Sequence, residues 1–134
     1  MTLSTEDRLD IVDVVTRADA AATARNVEDY LACFTDDARL VGAKGEHNGK
    51  GQLRRSLGAI WASEGATTAH LSLNVVVDEV DNTKAVVRSI LLIVESGPPV
   101  TLLGLSAITQ NVVKKGGHWR IELRNVRELT STSH

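Results

Sequence analysis

The sequence predicts an α+β domain, with three N-terminal helices packed on a curved antiparallel sheet and a ligand-sized hollow inside the resulting cone. Two observations carry this. The second half of the chain reads as four β-rich segments, Leu71–Val80, Lys84–Glu95, Val100–Val113 and Trp119–Leu129. Turn sequences separate them at Val80-Asp81-Asn82-Thr83, Ser96-Gly97-Pro98-Pro99 and Lys114-Lys115-Gly116-Gly117. The first half carries three helical periodicities, and a meander of strands needs such a second layer to bury one of its faces.

The elements follow in order. Ser4 and Asp7 form a capping pair that opens a helix from about Thr5 to Ala24. Leu9, Val12, Val15, Ala18 and Ala22 recur at spacings of three and four and define its buried stripe. Asn26 caps a short helix, Val27 to Phe34, with Val27, Tyr30, Leu31 and Phe34 inward, and Thr35-Asp36-Asp37 stops it. Ala38–Val41 reads as a short strand, and the glycine-punctuated stretch Gly42–Gly51 as a loop. A third helix, Gln52 to Ser63, buries Leu53, Leu57, Ile60 and Trp61 and ends at Gly65. Thr130–His134 reads as a frayed tail. In the strand Lys84–Glu95, apolar residues occupy both faces, whereas a sheet with one wet face alternates apolar and polar. A second copy of the chain packed back to back would cover the outer face, so a homodimer through the sheet is expected.

Composition bounds the rest. The 134 residues make one domain. A formal charge of −2 with scattered Lys and Arg argues against a nucleic-acid partner. No apolar run approaches the roughly 18–20 residues of a membrane span. The acidic start, Met1 to Asp7, has no apolar signal core, which makes the cytoplasm the expected location. Cys33 is the single cysteine, and the four histidines lack paired spacing, so no metal site is expected. No glycine-rich phosphate loop follows a strand, so no nucleotide cofactor is expected either. The aromatics are Tyr30, Phe34, Trp61 and Trp119 alone. A cavity wall built mostly from aliphatics suits an apolar, non-planar small molecule, and the same composition suits a filled core equally well.

Three residues are candidates for chemistry. Asp19 falls inside the apolar arc of the first helix, between Val12 and Val15, where a carboxylate must be paired, hydrogen-bonded or facing a cavity. Burial would raise its pKa and fit it for acid–base work; the alternative is an ion pair with an arginine of the sheet, such as Arg88. His70 opens the first meander strand and shares a face with Ser72 and Asn74. It is either a base lining the hollow or a hydrogen-bonded residue at a strand end. Arg88, in the middle of an apolar strand, reaches a carboxylate or stabilises an oxyanion. Val15, Trp61, Asn74 and Trp119 are the expected pocket wall. Arg120, Glu122 and Arg124 alternate with Trp119, Ile121 and Leu123 and read as the polar face of the last strand. Asp36 and Asp37 read as a helix stop.

The order of elements, with Phe34-Thr35-Asp36-Asp37-Ala38 before the third helix and Gly117-His118-Trp119-Arg120-Ile121 at the end, resembles the NTF2-like superfamily. Within it the chain is similar to the SnoaL-like branch and its SgcJ/EcaC-type small proteins, over about Arg8 to Arg127. The resemblance implies an α+β cone, frequent dimerisation and a deep pocket, but no single chemistry. Dehydratase-type relatives carry a catalytic histidine at the position of His70. Their helix-borne Tyr and Asp correspond to Ala18 and Thr23 here, and the base of steroid-isomerase-type relatives to Gly42, so neither mechanism transfers intact. The reading is cofactor-free acid–base chemistry, of cyclase, isomerase, dehydratase or hydrolase type, on an apolar polyketide, terpenoid or steroid-like metabolite. The alternative is a non-catalytic ligand-binding or dimeric assembly module.

Overall fold

The computed structural model describes residues 3–43, 45–65 and 67–129; the expected tail at Thr130–His134 lies outside the described residues. The elements run α1 (Thr5–Ala24), α2 (Val27–Leu31), β1 (Phe34–Gly42), β2 (Gly45–Asn48), α3 (Gly49–Ala62), β3 (Thr68–Asp81), β4 (Lys84–Glu95), β5 (Thr101–Lys115) and β6 (His118–Glu128). The strands form one sheet in the order β2-β1-β6-β5-β4-β3. The sheet is mostly antiparallel, but β1 lies parallel to β6, a pairing the meander pattern did not announce. The helices cover its inner face.

Two local expectations are corrected. The second helix stops at Leu31, and Phe34-Thr35-Asp36-Asp37 is extended chain in β1, anchored by the Ile121 amide donating to the Cys33 carbonyl at 2.8 Å. The stretch read as a loop after Gly42 contains β2, which pairs antiparallel with β1. Its glycines serve the turn itself: Gly45 and Gly49 both take positive φ.

The buried face of α1 is Ile11, Val14, Val15, Ala18, Asp19 and Ala22, while Leu9 and Val12 are exposed. Both sets satisfy three-and-four spacing, so periodicity alone could not choose between them. The start of α1 is tied down tightly. Ser4 Oγ accepts from the Asp7 amide at 3.0 Å, and the Asp7 carboxylate accepts from Trp119 Nε1 and Lys114 Nζ, both at 3.0 Å. This clasps the helix to the β5–β6 hairpin.

Two bulges set which side chains face inward. Leu73 pairs with Ile90 but Val76 with Arg88, so β3 carries one extra residue, and there Asn74 adopts a left-handed φ of 55°. Ile121 pairs with Val112 but Leu123 with Asn111, so Glu122 is the extra residue in β6. Beyond it the alternation inverts, and Arg124, expected on the polar face of the strand, turns into the core. On the outer face Leu71, Leu92 and Leu105 form a row across β3, β4 and β5, with Leu73 and Ile90 beside it. Leu71 and Leu73 are openly exposed.

The Asp7 carboxyl is lowered from 3.8 to about 2, first by the Trp119 hydrogen bond and then by Lys114. A depressed carboxyl contributes stability that is full above the unfolded value and fades as pH falls toward the folded one. Thermal melts of the wild type should therefore lose this increment between about pH 4 and 2, and Asp7→Asn should show a flatter acid limb. Parallel limbs for the two proteins would remove Asp7 from the account.

Candidate functional site

A cavity of ≈ 200 Å³ opens between α3, the end of α1 and the inner face of the sheet. Its apolar wall includes Ala22, Leu40, Leu57, Ile60, Trp61, Leu91 and Val126; its polar wall is Tyr30, His47, Glu64, His70, Ser106, Arg124 and Glu128. Trp61 stands edge-on to Tyr30, with ring centroids 5.3 Å apart, and Phe34 backs Tyr30 at 4.9 Å. A larger cleft of ≈ 610 Å³ lies outside α1, bordered by Asp10, Asp13, Arg17, Cys33 and His118. Its Arg17 is already paired with Asp13 at 2.6 Å. The smaller cavity is the candidate site because buried polar groups converge on it.

His70 is held from three sides. Its backbone amide donates to Thr23 Oγ1 at 2.9 Å, which ties β3 to the last turn of α1. Its Nε2 lies 2.7 Å from Glu64 Oε1, just past the end of α3. Arg25, in the left-handed conformation that ends α1, places Nη1 3.6 Å from the same oxygen and also donates to the Gly65 carbonyl and Thr68 Oγ1. A carboxylate at Nε2 puts the proton of the neutral imidazole there, which leaves the Nδ1 lone pair free on a ring that lines the cavity. Among the described residues, Nδ1 has no hydrogen-bond partner.

Asp19 stands behind this wall rather than in it. Its Oδ1 accepts from Arg124 Nη2 at 2.9 Å and its Oδ2 from the Ser72 hydroxyl. Arg124 Nη1 also donates to Gln110 Oε1 at 3.3 Å. Both partners are almost fully buried, with side chains 4% and 6% exposed. Burial works against the Arg124 charge, yet the neighbouring Tyr30 and Asp19 outweigh it, and its pKa stays raised. Burial likewise pushes the Tyr30 phenol up, with the Arg124 charge in partial opposition. Among the described residues, three buried side-chain atoms lack hydrogen-bond partners: His47 Nε2, Ser89 Oγ and Gln110 Nε2. Each such group costs about 1–3 kcal/mol while it stays unpaired.

Of the residues expected at the site, His70 and Trp61 line the cavity. Arg88 does not: it is on the outer face of β4, paired with Asp78 at 2.6 Å, because its parity on the strand opposes that of Val87 and Ser89. Arg124 takes the place foreseen for it beside Asp19. Asn74 is exposed in the β3 bulge, where the extra residue turns it from the inner face. Val15 is packed in the core under α1. Trp119 faces the outer cleft, its indole held by Asp7. The residues missed were Arg124, Glu64 and His47. The signal for Arg124 is the change of apolar parity from Ile121 and Leu123 to Val126. Among the described residues, no group of three or more His, Cys, Asp or Glu gathers as a metal site, and no helix is long and apolar enough to cross a membrane.

The SnoaL-like domain profile matches residues 4–125. No curated protein sequence matches. Among solved structures, the chain is similar to a protein of unknown function with a cystatin-like fold from Nostoc punctiforme, at 27% identity, TM-score 0.91, covering 98% of this chain and 97% of that one. It is also similar to a candidate scytalone dehydratase from Novosphingobium aromaticivorans, at 20% identity, TM-score 0.80, over 96% and 88%. A Catenulispora acidiphila protein in complex with S-DNPA shares 15% identity, TM-score 0.79, over 93% and 95%. The last two show the fold alone.

Asp19→Asn strands the Arg124 charge in the interior and should cost roughly 3–5 kcal/mol of stability in denaturant melts. Asp19→Leu combined with Arg124→Met, which removes both charges, should recover much of it. A single variant as stable as the wild type would show that the pair carries no such load.

Proposed function

The chain belongs to the SnoaL-like family, and we propose that its cavity binds an apolar small molecule and moves a proton on it without a cofactor. The observation that carries this is the Glu64–His70 pair, which among the described residues leaves Nδ1 without a partner on a ring that lines the cavity. His70 Nδ1 takes a proton from a carbon or hydroxyl of the ligand, and Glu64 stabilises the imidazolium that forms. Arg124 lines the same cavity with its charge already met by Asp19 and Gln110, so it contributes a fixed polar wall rather than a free cation. The imidazolium then returns its proton to another ligand atom, as in an isomerisation or cyclisation, or to a departing hydroxyl, as in a dehydration. Asp19 serves to hold Arg124 in place. Of the polyketide, terpenoid and steroid-like compounds an apolar wall suits, the volume favours the smallest, since sites for drug-sized ligands run about 300–1,000 Å³.

A second reading is a non-catalytic binding module. It is favoured by the complete internal pairing of Asp19 with Arg124, which leaves few charges free for chemistry. His70→Gln separates the two. Under the first reading, turnover of an accepted substrate falls about 10²–10⁴-fold while binding changes little. A variant that binds as well as the wild type, in a protein that turns nothing over from a panel of small enones and hydroxylated rings, favours the binding module.

We further propose a homodimer through the outer sheet face, supported by the leucine row Leu71, Leu92 and Leu105. Leu92→Lys should convert the dimer into a monomer in sedimentation. A wild type that sediments as a monomer at micromolar concentration would end this proposal.

A further inference from the structure

We propose that His47 is a second ligand-binding residue of this cavity. The ligand it implies is neutral, about one ring in size, and carries two oxygens at separate positions on the ring. This rests on the reading of the cavity as a ligand site. The starting point is an unsatisfied atom. His47 lines the cavity from β2, and its Nε2 is closed to solvent and has no hydrogen-bond partner among the described residues. The other nitrogen is fixed, with Ser56 Oγ of α3 3.1 Å from Nδ1. His70 repeats the pattern with the nitrogens exchanged, Nε2 held by Glu64 and Nδ1 idle.

The two imidazoles come from opposite edges of the sheet, β2 and β3, and the curl of the sheet carries both edges to α3. Ser56 lies on α3 and Glu64 just past its end. At 1.5 Å per residue these anchors are roughly 12 Å apart. Leu57, Ile60 and Trp61 form the apolar wall between them. A ligand that satisfies both rings is therefore largely apolar and polar at two separate points.

Charge and volume narrow the class. Arg124 is taken by Asp19 and Gln110, and Glu64 by His70 and Arg25. Among the described residues, no unpaired cation lines the cavity, so a carboxylate or phosphate would lose its water without gaining a partner. The ≈ 200 Å³ volume suits a single ring, given that a dry cavity of about 150 Å³ takes up benzene.

Resorcinol and phenol test this, as neutral single rings with two oxygens and one. Binding is followed by tryptophan emission, and the ring nitrogens by NMR of protein labelled with ¹⁵N-histidine. Resorcinol should shift the nitrogens of both His47 and His70. His47→Phe should weaken resorcinol about tenfold and phenol by less than about twofold, and His47→Gln, which restores a hydrogen-bonding group, should recover most of the loss. The inference is overturned if resorcinol binds without moving the His47 resonances, or if His47→Phe leaves resorcinol unchanged or weakens both probes alike. Should the phenylalanine variant not fold, the wild-type shifts decide. If neither probe binds the wild type at millimolar concentration, the cavity reading itself falls and this inference with it; binding of both with only His70 responding removes His47 alone.

Discussion

The buried contact between Asp19 and Arg124 is the constraint around which the interior is arranged. It joins the C-terminal half of α1 to β6 across the core, and both partners are almost wholly out of water. Packing α1 on the sheet at any other rotation or register would leave one of the two charges unpaired. The pair therefore sets where the inward stripe of α1 must lie, which apolar spacing alone leaves open. It also backs the cavity wall, since Arg124 faces the cavity on one side and is gripped from behind by Asp19 and Gln110.

Much of the architecture is legible in the sequence because it depends on local signals. The strand Lys84–Glu95 and the caps at Ser4 and Asn26 were readable from turn chemistry and short side-chain hydrogen bonds. The β2 hairpin was not, because glycines that mark a loop also serve a short edge strand. The parallel pairing of β1 with β6 joins residues far apart in sequence, and no local pattern encodes it.

The site was legible only in part, for a related reason. His70 and Trp61 lie where simple alternation and helical spacing predict. Arg124 and Asn74 were misjudged because face assignments along a strand assume an unbroken period of two. One extra residue at Glu122 and another at Asn74 invert everything that follows. Arg88 shows the complementary error: its need for a carboxylate was read correctly, yet Asp78 on the neighbouring strand meets that need at the surface.

The bulge at Asn74 has a consequence for how the protein behaves in a crowded solution. β3 is fourteen residues long and lies at the border of the sheet, with one row of backbone groups facing no neighbouring strand. A straight border of that length, rich in valine and leucine, is a template on which another chain can add its own strand and begin a fibre. The left-handed residue interrupts the regular spacing of donors and acceptors near the middle of that border. It leaves two short stretches in place of one long one, so that strands from other molecules meet an irregular seam. Straightening β3 by deleting Asn74 would rotate half of its side chains to the wrong face and at the same time expose a continuous surface for aggregation.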